Sequence, residues 1–359
     1  MRAPAGTPVG APVDSPVGSP VGSPVGSGAV DHPVAAAPGP AARRPGVAVV
    51  VCAYTERRWD VLLQSLAAAA AQAGDRDEVL LVVDHDDALL ARATGAVPAG
   101  VRVVASTGRK GLSGARNSGV AATDRDVVVF LDDDAVPAPG WLDALVAPFQ
   151  DPAVHGAGGT VRPDWRAPRP AWFPEEFLWV VGCTYRGIPD RLHQVRNPIG
   201  ASMAFRADAL HEAGGFSEDL GRVGTLPLGC EETELSMAVA ARRPHGRVVH
   251  VPGSLVGHHV TPERTRWSYF VRRCFAEGLS KAAVAGLHGA GPALSSERSY
   301  ATRVLPAAVL RGLRDAARGD TGGLGRAGAV VAGLVVTAAG YARGRALALR
   351  TPRAATAAA

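Results

Sequence analysis

Short, almost uninterrupted apolar segments in the first part of the chain restrict its possible folds most strongly. Four of them, each five to seven residues long, alternate with stretches that have helical spacing: 47–53, 78–84, 101–105 and 126–132. A strand that is apolar along its whole length is covered on both faces, as in a parallel sheet between two helical layers. The alternation therefore predicts a doubly wound α/β domain over residues 46–150.

The next part of the chain has a less regular pattern. We predict a strand at 201–206, a helix at 231–242 and an amphipathic helix at 267–285, and we expect the Pro-rich stretch 162–174 to be a loop. This part, residues 151–285, therefore continues the fold without repeating the alternation that precedes it.

The two ends differ from the rest in composition. Residues 1–45 are rich in Pro, Gly, Ser and Val, with Pro-Val units every four residues from Pro8 to Pro24. Such a segment cannot bury enough apolar surface to order itself, so we predict a disordered tail. It is not a signal peptide, because no uninterrupted apolar stretch follows Arg2.

Residues 286–359 are predicted to form a basic helical extension. Residues 327–342 are sixteen residues without a charge, whereas a membrane crossing needs about 20 apolar residues. Two interpretations stay open for this stretch: a helix that lies on a membrane surface, and a helix that packs on the protein.

The net charge of +5 is concentrated near the C-terminus. From residue 281 onward there are eleven Lys and Arg against Glu297, Asp315 and Asp320, so the preceding 280 residues sum to −3. This distribution argues against a nucleic-acid-binding protein. It is compatible with peripheral contact to an anionic membrane, or with a solvated helical end.

Four cysteines are scattered along the chain without a C-x-x-C pair: Cys52, Cys183, Cys230 and Cys274. This argues against a disulfide framework or a thiolate zinc site and favours the reducing cytoplasm.

Three adjacent acids, Asp132, Asp133 and Asp134, follow the fourth predicted strand. Ligands of open α/β sheets bind at the carboxyl ends of the strands. Adjacent carboxylates repel one another unless a cation offsets them, and hard oxygen ligands suit Mg²⁺ or Mn²⁺. The interpretations are a metal–diphosphate site and an ordinary acidic turn.

Other side chains at predicted strand and helix ends are candidates for nucleotide contacts. Tyr54 offers a ring on which a base can stack, and Asp84 ends the second strand, where it could accept a hydrogen bond or cap a turn. Arg116 lies in the Gly-rich stretch 111–119, at a predicted helix start suited to a phosphate. That stretch is neither a P-loop nor a dinucleotide fingerprint.

Downstream, Glu231, Glu232 and Glu234 begin a predicted helix. One of them could act as a general base, although acids at this position also favour the positive end of a helix. The pair His258-His259 offers an imidazole for a metal shell, with a solvated pair as the alternative.

Taken in order, these motifs resemble family 2 glycosyltransferases with the GT-A fold, over residues 45–285. The motifs are A-Y-T-E, the strand-terminal Asp84, G-L-S-G-A-R-N-S-G, L-D-D-D-A-V-P, N-P-I-G-A-S-M-A-F-R, G-C-E-E-T-E-L and V-G-H-H-V. The resemblance implies an α/β fold with a mostly parallel central sheet flanked by helices. Residues 46–150 would be its nucleotide-sugar-binding half and 151–285 its acceptor-binding half.

The resemblance also implies roles for individual residues. Those on the donor side would contact the base, ribose and diphosphate: Tyr54, Glu56, Asp84, Arg116, Asp132 and Asp133. The metal, Mg²⁺ or Mn²⁺, would bind Asp134, Asp132 and His258, with His259 open as the alternative histidine. The segment 197–206, with Asn197, Gly200 and Ala201, would line the sugar and acceptor side.

The family's Glu-Asp pair falls on Glu231-Glu232, with Glu where Asp is usual. The catalytic base would be Glu232, one methylene longer than usual, and Glu231 stays open as a competitor.

The activity implied is the inverting transfer of a sugar from a nucleoside diphosphate sugar, most often a UDP-sugar in this family. The acceptor would be a glycan, a lipid-linked glycan or a small metabolite, and the enzyme would be cytoplasmic or peripheral on the inner face of the cell membrane. A sugar nucleotidyltransferase is the rival enzyme, but the loop 53–58 lacks the glycines it needs. The non-enzymatic alternative is a catalytically inactive, membrane-associated binding protein.

Overall fold

A computed structural model describes residues 44–218, 229–289 and 295–350; apart from its last two residues, the predicted tail 1–45 lies outside these ranges. The described strands are β1 (Val47–Ala53), β2 (Glu78–Val83), β3 (Val101–Ala105), β4 (Val127–Asp132), β5 (Ala135–Pro137), β6 (Val154–Trp165), β7 (His193–Val195), β8 (Ser202–Arg206) and β9 (Arg247–Val260). The helices of the α/β part are α1 (Trp59–Ala70), α2 (Asp87–Ala96), α3 (Leu112–Ala121), α4 (Trp141–Val146), α5 (Ala207–Ala213), α6 (Glu231–Arg242) and α7 (Trp267–His288). The C-terminal helices are α8 (Ser295–Ser299), α9 (Leu305–Ala317) and α10 (Gly322–Arg350).

The four strands predicted from apolar segments form the parallel part of one sheet. Their order is β3-β2-β1-β4, and all three pairings are parallel. Cys52 near the end of β1 lies opposite Val82 of β2 and Asp132 of β4. The carboxyl ends of β1, β2 and β4 therefore meet at one edge, as the sequence predicts.

Beyond β4 the sheet is mixed, in the order β8-β6-β9-β5, with β7 on β9. The antiparallel pairing of β5 with β9 brings Ala135 opposite His258, so a residue from late in the chain lies beside the acids that end β4. One prediction is wrong here: β6 extends to Trp165, and residues 162–165 pair with β9 instead of forming a loop. That pairing satisfies backbone groups that a Pro-rich loop would leave to solvent.

Helices cover both faces of the sheet, as the apolar strands require. One face is packed by α1, α2, α4 and α7 around buried aromatic residues such as Trp141 and Phe270. The other face is packed by α3, α5 and α6 around Phe130, Phe205 and Phe216. The α/β fold class is thus confirmed.

The C-terminal extension is helical, and α10 packs closely on α7. Among the described residues, one helix, Gly322–Ala348, is long and apolar enough to cross a membrane by length and composition, and 28% of its most apolar window is buried. The sixteen uncharged residues are therefore part of a longer helix, although the sequence alone suggested a segment too short to cross. Length and composition do not distinguish a crossing helix from one that packs on the protein.

Candidate functional site

The acidic turn, Asp132–Asp134, joins β4 to β5 at the carboxyl edge of the sheet. Asp133 and Asp134 are buried, whereas Asp132 is partly exposed. The turn is fixed by its backbone, because the Asp134 carbonyl accepts the His259 N–H at 2.8 Å and the Ala201 carbonyl accepts the Asp132 N–H at 3.3 Å. Two later segments of the chain therefore hold these carboxylates in place.

Asp132, Asp134 and His258 are arranged as a metal-ligand set. One donor atom from each lies within 4.8 Å of the others, and His258 Nε2 is 3.1 Å from Asp134 Oδ1. Two carboxylate oxygens and one imidazole nitrogen suit Mn²⁺, and the carboxylates alone suit Mg²⁺. The residues present thus fit the expected divalent cation.

The two adjacent histidines point to different partners. His258 is buried against the acidic turn and has Cys183 Sγ 3.7 Å from its Nδ1. His259 Nε2 instead lies 3.1 Å from Asp164 Oδ2, on the other face of β9. Alternation along the strand accounts for this difference, and the geometry brings His258, not His259, into the metal-ligand set.

Two arginines that the sequence analysis did not single out neutralise the acidic turn. Arg58 Nη1 donates to Asp133 Oδ1 at 2.5 Å and lies 3.1 Å from Asp134 Oδ2, and Arg264 Nη2 lies 3.3 Å from the same oxygen. Burial favours protonation of Asp134, yet the attraction of His258, Arg58 and Arg264 outweighs it and holds the pKa of Asp134 well below its ordinary value.

Asp133 behaves differently from its neighbour. Burial raises the pKa of Asp133 to about 7, against the opposing effect of Arg58. Its Oδ2 is buried and has no hydrogen-bond partner among the described residues. A buried acceptor without a partner is costly, and here it marks a position at which a bound hydroxyl or N–H would be stabilised.

The structure brings the predicted base-pocket residues to the same edge, with different surroundings. The Tyr54 ring is 57% exposed and so has a free face for stacking. Asp84 is buried and already has partners, since Oδ2 accepts the Gly111 N–H at 2.9 Å and Oδ1 lies 2.9 Å from His85 Nδ1. Glu56 points away to Arg92, at 2.8 Å.

Arg116, in the first turns of α3, is almost completely buried. Its Nη2 donates to Asp132 Oδ1 and to the Gly200 carbonyl, both at 3.2 Å, and its Nη1 donates to Glu231 Oε1 at 3.3 Å. One guanidinium therefore contacts the acidic turn, the 197–201 segment and helix α6.

The two glutamates at the start of α6 lie in different environments. Glu231 is buried; its Oε1 accepts from Arg116, and its Oε2 has no hydrogen-bond partner in the described part of the chain. Glu232 is partly exposed, and burial together with the negative charge of Glu231 raises its pKa to about 8. A Cβ added at Gly200 would be 4.0 Å from the Glu232 carboxyl carbon, so the missing side chain leaves space beside Glu232.

Gly200 and Ala201 lie between the acidic turn and α6, and Asn197 precedes them in the same segment. The Gly200 and Ala201 carbonyls bind Arg116 and the Asp132 N–H, as described above. Asn197 Oδ1 accepts from Arg196 Nε at 2.9 Å, and Arg196 in turn forms two hydrogen bonds to Glu297 of α8. The C-terminal extension is thereby connected to this segment, which the sequence did not predict.

The arrangement combines two chemical capabilities on either side of Arg116. The metal-ligand set can hold a divalent cation against a negatively charged leaving group, and Glu232, with its raised pKa, is a strong proton acceptor once it is ionised.

Comparisons with known proteins show which proteins this chain resembles. Residues 48–214 match the family described as "Glycosyl transferase family 2". The chain is 32% identical over 239 residues to the glucosyl-dolichyl phosphate glucuronosyltransferase of Haloferax volcanii, covering 66% of this chain and 76% of the relative. It is 28% identical over 170 residues to the pre-mycofactocin glycosyltransferase of Mycobacterium tuberculosis, covering 47% of this chain and 34% of the relative.

Two solved structures share the fold at low sequence identity. The mannosyltransferase PcManGT from Pyrobaculum calidifontis, in complex with GDP-Man and Mn²⁺, matches with a TM-score of 0.52 at 20% identity, over 86% of this chain and 90% of its own. GalNAc-T7 with UDP, GalNAc and Mn²⁺ matches with a TM-score of 0.50 at 15% identity, over 73% and 58%.

Proposed function

Because this chain belongs to glycosyl transferase family 2 and is a glycosyltransferase of the GT-A fold, we propose that it is metal-dependent and inverts the configuration of the sugar it transfers. The donor is a nucleoside diphosphate sugar, with UDP as our first choice of nucleotide. The observation that carries the proposal is that Arg116 contacts Asp132 of the metal-ligand set on one side and Glu231 on the other, and that Glu231 directly precedes Glu232.

On the donor side, Asp132, Asp134 and His258 hold Mg²⁺ or Mn²⁺. When bound, the cation stabilises the negative charge that develops on the nucleoside diphosphate. Asp133 accepts a donor hydroxyl on its unpartnered Oδ2. Tyr54 stacks on the base, a contact worth about 1–3 kcal/mol where it has been tested, and Asp84 and Glu56 border the same pocket.

On the acceptor side, Glu232 removes the proton from the attacking hydroxyl. The oxygen then bonds to the anomeric carbon from the face opposite the diphosphate, and the bond to the diphosphate breaks. No covalent enzyme intermediate forms, so an α-linked donor gives a β-linked product. Asn197, Gly200 and Ala201 border the space between donor and acceptor.

We propose residues 46–150 as the donor-binding half and residues 151–285 as the acceptor-binding half of one sheet. A lipid-linked acceptor is our preferred choice, because the relative from Haloferax volcanii is named for a dolichyl phosphate substrate. The apolar helix α10 is consistent with membrane association, and we propose peripheral contact with the anionic inner face of the membrane. The family assignment argues against the nucleotidyltransferase alternative.

A thermal-shift panel of UDP-, GDP- and dTDP-sugars, with Mn²⁺ or EDTA, tests the proposal. We expect one nucleotide to stabilise the protein only when Mn²⁺ is present, by about 2.7 kcal/mol at a hundred times its Kd. Asp134→Asn should lose this shift, whereas the control Arg102→Lys, on the exposed side of β3, should keep it. Stabilisation that persists in EDTA, or none with any sugar nucleotide, would contradict the proposal.

A further inference from the structure

The guanidinium of Arg116 is surrounded by protein groups on all the sides that the structure describes. A residue that only binds a diphosphate would not need to be enclosed in this way. Its guanidinium lies 5.9 Å from the ring centre of Phe130 and 5.3 Å from that of Phe216. The remaining directions are taken by Asp132, Glu231 and the Gly200 carbonyl. Rings and acceptors together surround the charged group.

A phosphate oxygen that bound Arg116 would have to replace one of these carboxylates. Glu231 is buried, and no described residue forms a hydrogen bond to its Oε2. Breaking an ion pair in a buried setting is strongly unfavourable because it leaves an uncompensated charge. The geometry therefore disfavours Arg116 as a ligand of the diphosphate.

We propose that Arg116 is a positioning residue that fixes the acidic turn relative to helix α6, and that Glu231 is its counter-charge and not the base. The inference rests on the proposed function and deepens it. Asp132 belongs to the metal-ligand set, and Glu231 immediately precedes Glu232 on α6. A single side chain thus sets the distance between the metal and the base.

The charges around Glu232 make its pH titration a readout of the pairing between Arg116 and Glu231. The charge of Glu232 interacts with those of Glu231, Arg116 and Glu277 and influences the Cys230 thiol, and Glu277 is paired with Lys281 at 3.0 Å. The negative charge of Glu231 disfavours ionisation of Glu232, and the positive charge of Arg116 favours it. Removing the charge of Glu231 should therefore shift the titration of Glu232 to lower pH, whereas Arg116→Lys keeps the positive charge and should leave the titration nearly in place.

Nucleotide binding distinguishes a positioning residue from a phosphate ligand. We would measure Kd values of UDP and UMP, or of GDP and GMP if the panel favours guanine, with Mn²⁺ by calorimetry. If Arg116 binds the diphosphate, Arg116→Lys should weaken the diphosphate by roughly tenfold or more relative to the monophosphate. We expect the ratio of the two Kd values to stay unchanged, as in the control Arg102→Lys.

Turnover and its pH dependence test the positioning itself. We expect Arg116→Lys to lower kcat by about 10²-fold, because lysine cannot hold both carboxylates and small misplacements are costly in catalysis. Glu231→Gln should shift the acid limb of the pH–rate profile to lower pH by about one unit. In the double variant Arg116→Lys/Glu231→Gln, the loss in kcat and the loss in thermal midpoint should each be smaller than the sum of the two single-variant losses, because both changes disrupt the same contact.

The inference is overturned if Arg116→Lys selectively loses the diphosphate, if Glu231→Gln leaves the acid limb in place, or if the losses combine independently. Should Arg116→Lys fail to fold, the pH profile of Glu231→Gln alone decides. A wild-type protein that binds none of the nucleotides refutes the proposed function instead, and the thermal-midpoint cycle still tests the contact.

Discussion

Glu231 and Glu232 show how two identical neighbouring side chains acquire different chemistry. Glu231 faces inward to Arg116, whereas Glu232 lies one position further around the helix, partly exposed and beside Gly200. Burial and the charge of Glu231 raise the pKa of Glu232 to about 8. A carboxyl group with such a pKa binds a proton more strongly than in solution, so it is a stronger base once it is ionised.

Glu232→Gln should abolish sugar transfer and keep donor binding. Loss of a general base lowers the rate by about 10²–10⁴-fold. Donor affinity should be kept, because we expect it to depend on the metal-ligand set and not on Glu232. In the wild-type enzyme, kcat/KM should rise with pH as Glu232 ionises, with a midpoint of about 8. Initial rates across pH and calorimetry with the donor measure both.

An enzyme in which Glu231→Gln is inactive and Glu232→Gln is active would reverse the assignment of the base. A rate that does not change with pH through the expected midpoint would remove the electrostatic argument for Glu232.

The position of a site residue could be predicted from the sequence where the residue directly follows a strand. It could be predicted less well where the role of the residue depends on a contact with a distant segment. The acids after β4 lie at the sheet edge as expected, because the apolar strand before them sets their position. Arg58 and Arg264 were missed, since their role is visible only once separate segments meet at the acidic turn. His258 was the expected ligand with His259 as the alternative, and the pairing of β5 with β9 brings His258 opposite Ala135, beside the acidic turn.

At the scale of secondary-structure elements, glycine controls the packing of α10 on α7. A Cβ added at Gly340 would stand 2.1 Å from the Phe275 carbonyl oxygen, and one at Gly278 would stand 2.1 Å from that of Thr337. The two helices therefore approach each other as closely as their backbones allow.

Gly340→Val should destabilise the protein. Excess volume in a well-packed interface typically costs about 1–3 kcal/mol, so we expect a lower denaturation midpoint in urea or on heating. Gly328, on the same helix, has no described atom within 4 Å of an added Cβ apart from its own stretch of the helix. Gly328→Val is the matched control, and it should be neutral or slightly stabilising, since valine has a higher helix propensity than glycine. Equal midpoints for Gly340→Val and the control would contradict the close packing.

Elements with a continuous apolar pattern were predicted correctly, and those that depend on distant pairing were not. β1 to β4 follow from their sequences. Residues 162–165 contain Pro163 and charged groups, and they form a strand only because β9 lies beside them. The length of α10 was also missed, because Arg343 and Arg345 interrupt its apolar run without ending the helix.

At the scale of the whole molecule, the C-terminal helices carry both exposed apolar side chains and basic side chains. Leu310 and Leu313 of α9 and Leu324 of α10 are largely exposed, and α9 also carries Arg311 and Arg314. Apolar side chains bordered by arginines are typical of helices that lie at an anionic lipid surface. The ion pairs of Glu297 with Arg196 connect this extension to the segment that contains Asn197.

The protein should sediment with vesicles that contain an anionic lipid such as phosphatidylglycerol, and less with neutral phosphatidylcholine vesicles. Each basic residue near the surface contributes about 1 kcal/mol, so high salt should weaken the binding. Leu310→Asp/Leu313→Asp should reduce it, whereas the control Leu192→Asp, an exposed leucine outside the extension, should not. Sedimentation of the double variant at the wild-type level would reject this surface.

The fold class of the molecule could be predicted from the sequence, but the order of the strands in the mixed part of the sheet could not. Alternating strands and helices indicated the α/β fold, and the motifs indicated the GT-A type. The order of β8, β6, β9 and β5 depends on long-range pairing between strands far apart in sequence, which local patterns do not encode.

Anomalous diffraction from crystals grown with Mn²⁺ and the most stabilising nucleoside diphosphate tests the central claim most directly. We predict a manganese peak between Asp132, Asp134 and His258, with the diphosphate bound to it. A peak elsewhere, or an acidic turn closed by Arg58 and Arg264 with no manganese, would contradict the account.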